Sequence, residues 1–144
     1  MKFFGVAGSP VFHSKSPLIF EHFFKDLPGE AVYGRIAADS AGEIIFIFNS
    51  FSFDGMNITS PFKTEIIPYL SELDEVASAT GSVNTITRWR DGVKGFNTDP
   101  AGVFMALEKR NIKRAGKRWV FLGGGGAGAS AAFSLIQRGA EVTI

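Results

Sequence analysis

The chain has 144 residues, of which 45% are hydrophobic and 20% are charged. These values fit one globular domain, or a small domain with a piece of another, and exclude a disordered chain. Fifteen basic against fourteen acidic residues give a formal net charge of +1, which excludes the strongly basic balance of a nucleic-acid-binding protein. The sequence has no cysteine, so disulfides, thiolate zinc sites and a cysteine nucleophile are excluded.

The apolar runs are short. The most apolar one, residues 44–48, is far below the roughly 20 residues that span a bilayer. We therefore predict no membrane contact and no metal site, and the missing cysteines fit a reducing cytoplasm. Small molecules are the expected partners, and the sequence allows a homodimer without deciding it.

The first part of the chain alternates strand and helix patterns. Apolar strands are predicted at residues 3–7, 31–36 and 56–59. A helical stripe lies between the first two strands, at Leu18, Ile19, Phe23 and Leu27. A second stripe, with the i, i+3, i+4, i+7 spacing of an amphipathic helix, follows at Ile44, Ile47, Phe48 and Phe51. This alternation is typical of an α/β protein.

The middle of the chain predicts three helices and two strands. The helices are expected over residues 60–68, 70–79 and 100–111, and the strands over residues 83–89 and 93–96. Asp91-Gly92 between the strands is typical of a tight hairpin. The hairpin would bring Asn97, Thr98 and Asp99 to its open end.

Three serine-proline or aspartate-proline pairs open predicted helices: Ser16-Pro17, Ser60-Pro61 and Asp99-Pro100. Such pairs predict a side-chain N-cap followed by proline at the first helical position. Polar residues beside them, including Ser14, Lys63 and Asn97, form a set suited to a small hydroxylated acid, because helix starts attract anions.

The last part of the chain predicts a dinucleotide-binding βαβ unit. A strand at residues 119–122 precedes Gly123-Gly124-Gly125-Gly126-Ala127-Gly128, a helix over 129–138 follows, and a second strand begins at residue 142. This is GxGxxG in its expected context. Gly123 would make the tight turn, Gly125 would admit a pyrophosphate and Gly128 would allow close packing. Because parallel strands need cover on both faces, we expect the βαβ unit to be cut off.

Four motifs occur in an order and spacing that resemble shikimate dehydrogenases. They are Ser14-Lys15-Ser16-Pro17, residues 57–63 (Asn-Ile-Thr-Ser-Pro-Phe-Lys), Gly81-Ser82-Val83-Asn84-Thr85 and Gly95-Phe96-Asn97-Thr98-Asp99. With the glycine loop, the resemblance covers residues 1–144. It implies an N-terminal α/β substrate-binding domain with a mixed, mostly parallel sheet, followed by the first βαβ unit of a Rossmann-like domain. Ser82 stands where the family more often has alanine.

The resemblance also implies the site residues and the reaction. The reaction is the reversible reduction of 3-dehydroshikimate to shikimate, with hydride passing to or from nicotinamide. The implied substrate-binding residues are Ser14, Ser16 and Thr59 for the carboxylate, and Asn57 and Asn84 for ring hydroxyls. The implied cofactor-binding residues are Gly123, Gly125, Gly126, Ala127 and Gly128.

Lys63 and Asp99 are the predicted catalytic pair. The helix dipole disfavours a charged amine in the first turn, whereas a neighbouring carboxylate favours it. Which of the two is the formal acid or base stays open. The expected cofactor is NADP, with NAD as an alternative, because the residue that selects between them lies past residue 144.

Three interpretations compete, while an unrelated dinucleotide enzyme such as a folate-linked dehydrogenase is disfavoured by the paired serines and by the Asn97-Thr98-Asp99 segment. The leading one is a shikimate dehydrogenase, divided into a shikimate-binding catalytic domain at residues 1–100 and a linking helix with a truncated NAD(P)-binding domain at residues 101–144. A close alternative is a quinate/shikimate dehydrogenase. The contrasting class is a non-catalytic module that binds shikimate, because this chain by itself would lack half of the cofactor cleft.

Overall fold

The computed structural model describes residues 1–26, 29–112 and 116–143. The strands are β1 Lys2–Gly8, β2 Ala31–Ala37, β3 Gly55–Ile58, β4 Glu72–Leu73, β5 Thr85–Trp89, β6 Gly92–Phe96, β7 Arg118–Val120 and β8 Glu141–Thr143. The helices are α1 Ser16–Phe24, α2 Ala41–Ser50, α3 Phe62–Glu65, α4 Glu75–Thr80, α5 Asp99–Lys109 and α6 Gly126–Ile136, and a 3₁₀ turn spans Ile67–Tyr69.

Six strands form one mixed sheet in the order β2-β1-β3-β5-β6-β4. β1 pairs in parallel with both β2 and β3, β4 pairs in parallel with β6, and β5 is antiparallel to its two neighbours. The expected mixed, mostly parallel sheet is therefore confirmed. β7 and β8 form a separate parallel pair, which with α6 is the predicted βαβ unit.

The main core lies on one face of the six-stranded sheet. Side chains of β1, β3 and β5 pack there against α2 and α3, because alternate strand residues share a face. Its fully buried members include Ala7, Ile44, Phe48, Met56, Ile58, Ile66 and Ile86. Helix α1 and several polar side chains lie on the opposite face of the sheet.

The stripe predicted for α1 is wrong. Leu18, Ile19 and Phe23 are exposed, whereas Phe20 stacks on Tyr33 and Phe24 packs on Phe4. The inward face of α1 is set by where the sheet lies, which the spacing of apolar residues alone does not fix. Leu27, the fourth residue of that stripe, lies outside the described residues. Similarly, Phe51 lies beyond the end of α2 and is exposed.

None of the three proline pairs forms the predicted cap. The N-cap positions are Lys15, Pro61 and Thr98, and none makes a side-chain cap hydrogen bond. Ser16 and Asp99 lie one residue inside their helices, where their side chains bond to Ser14 and to Lys63. Side-chain caps occur instead at Ser40 and Asp74.

Several boundaries also differ. The predicted helix over residues 70–79 contains β4, and its helical part starts only at Glu75, after the Asp74 cap. In the hairpin, Trp89 pairs with Gly92, so the turn residues are Arg90 and Asp91. α6 begins inside the glycine loop, at Gly126. In the described ranges no helix combines the length and hydropathy of a transmembrane segment.

Candidate active site

Polar side chains line the face of the sheet opposite the main core. In the strand register, Val6 lies between Arg35 on β2 and Asn57 on β3, and Asn57 pairs with Thr85 on β5. Residues aligned across strands share a face, as do Tyr33 and Arg35 along β2. Hydrogen-bonding side chains from β2, β3 and β5 therefore share this face, with Val6 of β1 between them, beside the start of α1.

The two predicted serines lie together at the start of α1. The Ser14 hydroxyl lies 3.2 Å from the Ser16 hydroxyl and accepts the Ser16 backbone N–H at 3.3 Å. The guanidinium of Arg35 donates to the Ser14 carbonyl at 2.6 and 3.0 Å, which ties this loop to β2. Two hydroxyls and a nearby cationic side chain suit a carboxylate ligand.

Asn57 and Asn84 are connected across β3 and β5. The Asn57 amide donates to Thr85 Oγ1 at 3.1 Å and lies 3.4 Å from the Asn84 carbonyl. The Asn84 amide in turn donates to Asp99 Oδ1 at 2.8 Å and to Thr98 Oγ1 at 2.9 Å. Both asparagines are partly exposed, so neither is sealed inside the core.

Lys63 and Asp99 meet, although they are 36 residues apart. The Lys63 Nζ atom lies 2.6 Å from Asp99 Oδ2, and the two side chains are 21% and 28% exposed. Because Asn84 holds the other carboxylate oxygen, Asp99 is fixed through both oxygens. Asp99 is also the first residue of α5, where the helix dipole stabilises a negative charge.

Asn97 is expected among the ligand-binding groups, but it lies elsewhere. It is buried, and its amide donates to Thr80 Oγ1 and to Ser130 Oγ, both at 2.8 Å. Its Oδ1 accepts the Asp99 backbone N–H at 3.1 Å. Asn97 therefore braces Asp99 and links α5 to α6 from behind the site.

The loop between β7 and α6 has the close approaches that a dinucleotide-binding turn needs. Gly123 has a φ of +118°, which favours glycine. A Cβ on Gly128 would lie 2.2 Å from the Gly123 carbonyl oxygen. A Cβ on Gly125 would meet nothing within 4 Å, so it would project into open space. The N-cap of α6 is Gly125 itself, with no side-chain cap, which leaves the first N–H groups of α6 for an anion.

This loop faces Lys63 across a cleft of about 470 Å³. Its walls are the segment from Thr59 to Thr64 on one side and the loop from Leu122 to Gly128 on the other. Gly126 approaches Ser82 and Lys63 closely. All five predicted cofactor-binding residues line the cleft.

Hydrogen bonds join most of the predicted substrate-binding and catalytic residues to one another, and Thr59 is the exception. Hydrogen bonds connect Asn57 through Asn84 to Asp99 and Lys63. Thr59 lies at the end of β3 in the cleft with Lys63, and its hydroxyl bonds to no other residue in the ranges 1–26, 29–112 and 116–143. It remains available to a ligand.

Sequence reasoning missed Tyr33, which joins the serines to the asparagines. The Tyr33 hydroxyl donates to Asn57 Oδ1 at 2.6 Å. Burial raises the pKa of the Tyr33 phenol to about 12, although a hydrogen bond with Ser16 acts in the opposite direction. The alternation along β2 could have placed Tyr33 on a face with Arg35, but only the strand order brings that face to Asn57.

A polar sheet face that opens onto a glycine-rich strand–turn–helix unit is typical of α/β proteins that bind a small polar ligand beside a dinucleotide. A family profile described as the shikimate dehydrogenase substrate binding domain matches residues 6–86. The chain belongs to the shikimate dehydrogenase family, which confirms the resemblance seen in its motifs.

Individual relatives agree. The shikimate dehydrogenase (NADP(+)) of Carboxydothermus hydrogenoformans is 34% identical over 99% of this chain and 52% of the relative. Shikimate dehydrogenase 1 of Peptoclostridium difficile superposes with a TM-score of 0.93 at 32% identity, covering 100% of this chain and 57% of that one. The shikimate 5-dehydrogenase of Thermus thermophilus, in complex with NADP(H) and shikimate, gives a TM-score of 0.86 at 32% identity, with coverage of 99% and 54%. The chain spans about half the length of these relatives.

Proposed function

We propose that the protein containing this chain is an NADP-dependent shikimate dehydrogenase. It would reversibly reduce 3-dehydroshikimate to shikimate, a step of aromatic amino acid biosynthesis through chorismate. The observation that carries the proposal is the position of the Lys63–Asp99 pair. Asn84 connects the pair to the polar sheet face, and Lys63 lines the cleft that the glycine loop closes.

The substrate would lie on the polar face of the sheet. Ser14, Ser16 and Thr59 would donate hydrogen bonds to its carboxylate, and Asn57 and Asn84 would bond its ring hydroxyls. The support is the pairing of the serines beside Arg35 and the connection of both asparagines to Asp99. The lysine amine would then reach the oxygen at the reacting carbon.

Lys63 and Asp99 would transfer the proton. As hydride leaves or reaches the ring carbon, its oxygen must lose or gain a proton, and a hydrogen-bonded amine and carboxylate offer a donor and an acceptor at one place. Asn84 and the Asn97-held backbone keep the carboxylate in position. This fixed geometry lowers the barrier because the groups need no rearrangement.

The cofactor would sit across the glycine loop. When bound, NADP would supply the hydride acceptor or donor. Gly125 and the backbone amides at the start of α6 would hold its pyrophosphate, with Gly123, Gly126, Ala127 and Gly128 shaping the turn. The support is the open space at Gly125 and the uncapped start of α6.

The domain division, the location and the oligomer also remain proposals. We propose the boundary at residue 100, between a shikimate-binding domain and a nucleotide-binding one, in a cytoplasmic protein.

We also propose a homodimer, supported by the exposed apolar side of α1 and by β2, which pairs on one edge only within the described sheet. Sedimentation analysis of the wild type and of Leu18→Glu tests the dimer. A monomer mass for the wild type would contradict the dimer, and a dimer mass for the variant would contradict the α1 interface.

The function is tested with the full-length protein that contains these residues. Shikimate and quinate are each assayed with NADP and with NAD. We expect the highest kcat/KM for shikimate with NADP. Preferred oxidation of quinate would assign the alternative quinate/shikimate activity. If shikimate binds in a calorimeter but no combination of substrate and cofactor is turned over, the result would support the non-catalytic module.

A further inference from the structure

Tyr33 lies between two parts of the proposed substrate site. Its hydroxyl donates to Asn57 Oδ1 at 2.6 Å and also hydrogen-bonds with the Ser16 side chain. One phenol thereby connects the start of α1, where the carboxylate-binding serines lie, to β3, where Asn57 lies.

The ring of Tyr33 is held independently of its hydroxyl. It stacks on Phe20 of α1, with ring centroids 4.3 Å apart and an angle of 9° between the planes. Tyr33 is half-buried on β2. The position of the phenol oxygen is therefore fixed by packing, and removal of that oxygen would leave the ring in place.

The hydrogen bonds around Asn57 fix the orientation of its amide. The Asn57 Nδ2 atom faces the Asn84 carbonyl and Thr85 Oγ1. A carbonyl only accepts hydrogen bonds, so the amide nitrogen must point to β5 and Oδ1 must point to Tyr33. Because a carbonyl oxygen has two lone pairs, Oδ1 can accept one further hydrogen bond from a ligand.

We propose that Tyr33 is a positioning residue for substrate recognition, which orients the Asn57 amide so that Oδ1 accepts a ring hydroxyl of the substrate. The inference rests on the proposed function and names a determinant within its site. Ser16 supports the phenol while the site is empty. When a carboxylate binds, the Ser16 hydroxyl turns to it, and the Tyr33 bond to Asn57 remains.

Tyr33→Phe in the full-length protein tests this role. The variant keeps the ring on Phe20 and removes only the oxygen. We expect the KM for shikimate to rise about tenfold, the effect of losing one hydrogen bond to a partly buried group. The kcat and the KM for NADP should stay as in the wild type, because the Lys63–Asp99 pair and the glycine loop are untouched.

The chain offers a matched control, since it has two tyrosines. Tyr69 lies in the 3₁₀ turn near Gly42, on the core side of the sheet, and is 52% exposed. Tyr69→Phe should leave every kinetic constant unchanged. Both variants should have the same midpoint of thermal unfolding as the wild type. A loss of stability in Tyr33→Phe alone, with a fall in kcat, would overturn the positioning role.

A second ligand separates hydroxyl recognition from general damage to the pocket. Cyclohex-1-ene carboxylate has the acid group and ring but no hydroxyl. Its inhibition constant should be equal in the wild type and in Tyr33→Phe, since it cannot reach Asn57 Oδ1 with a donor. Equal weakening of shikimate and of this analogue, or an unchanged KM for shikimate, would overturn the inference alone. A wild-type protein that does not oxidise shikimate would overturn the proposed function itself, and the inference with it.

Discussion

On the polar face of the sheet, side chains hold one another in position through hydrogen bonds. In the glycine loop, the shape of the site depends on close approaches of the main chain. On and beside the polar face, Tyr33, Asn57, Asn84 and Asp99 each hold a neighbour through a specific oxygen or nitrogen. In the loop, close approaches depend on missing Cβ atoms at Gly126 and Gly128. The first region is therefore sensitive to the loss of one atom and the second to the gain of one.

The largest expected effect is at the proposed catalytic pair, Lys63 and Asp99. Lys63→Met and Asp99→Asn should each lower kcat by about 10²- to 10⁴-fold, because a positioned acid or base contributes this much. Shikimate affinity, measured by calorimetry, should fall far less than kcat. A variant that keeps the wild-type kcat would remove its residue from the mechanism.

The next effect is at the tightest approach in the loop. Gly128→Ala would place Cβ 2.2 Å from the Gly123 carbonyl oxygen, and we expect unfolding free energy to fall by about 3 kcal/mol. Gly125→Ala is the control, because its Cβ meets nothing within 4 Å.

Gly125→Ala should therefore keep its stability in urea denaturation but lose NADP affinity in a fluorescence titration. Equal stability of the two variants would show that the close approach of Gly128 to the Gly123 carbonyl does not require glycine. Unchanged NADP affinity in Gly125→Ala would contradict the proposed pyrophosphate site.

A smaller effect links the two regions. Gly126→Ala would put Cβ 2.6 Å from Ser82 Oγ but 3.5 Å from Ser82 Cβ. We expect a loss of about 1–2 kcal/mol, which Ser82→Ala should largely restore in the double variant. Within the described residues, the buried Ser82 Oγ has no hydrogen-bond partner, so Ser82→Ala alone should be tolerated. Additive losses in denaturation curves would place the strain elsewhere.

The smallest effect lies outside the site, at an ion pair between β4 and β6. The hydrogen bond from Lys94 holds the pKa of Glu72 below its usual 4.5. The pair therefore stabilises the fold above the unfolded-state pKa, and this contribution is lost as the pH falls through the lower folded-state pKa. Denaturation at several pH values should show Glu72→Gln less stable than wild type at neutral pH and equal to it in acid. Lys94→Met should lose the same pH-dependent part, although its loss of the contacts with the Trp89 and Phe96 rings persists in acid. A difference between Glu72→Gln and the wild type that is constant at all pH values would contradict this assignment.

Much of the fold could be predicted because its signals are local. Residues 3–7, 31–36 and 56–59 show apolar strand patterns, and GxGxxG between a strand and a helix indicates the βαβ unit. Errors arose where a local signal competed with a distant partner. Ser16 and Asp99 have the chemistry of caps, yet their side chains bond to Ser14 and Lys63 instead. The role of each predicted site residue in binding remains a prediction.

The sequence by itself determined the alternation of elements, the glycine loop and the motifs that place the chain in its family. These depend on the spacing of residues that are near each other in the chain. Only the tertiary structure decided that β1 lies between β2 and β3, which brings Tyr33 to Asn57, and that Lys63 meets Asp99. Strand order and register join residues that are distant in sequence, and they are set by burial of the whole sheet rather than by any local pattern.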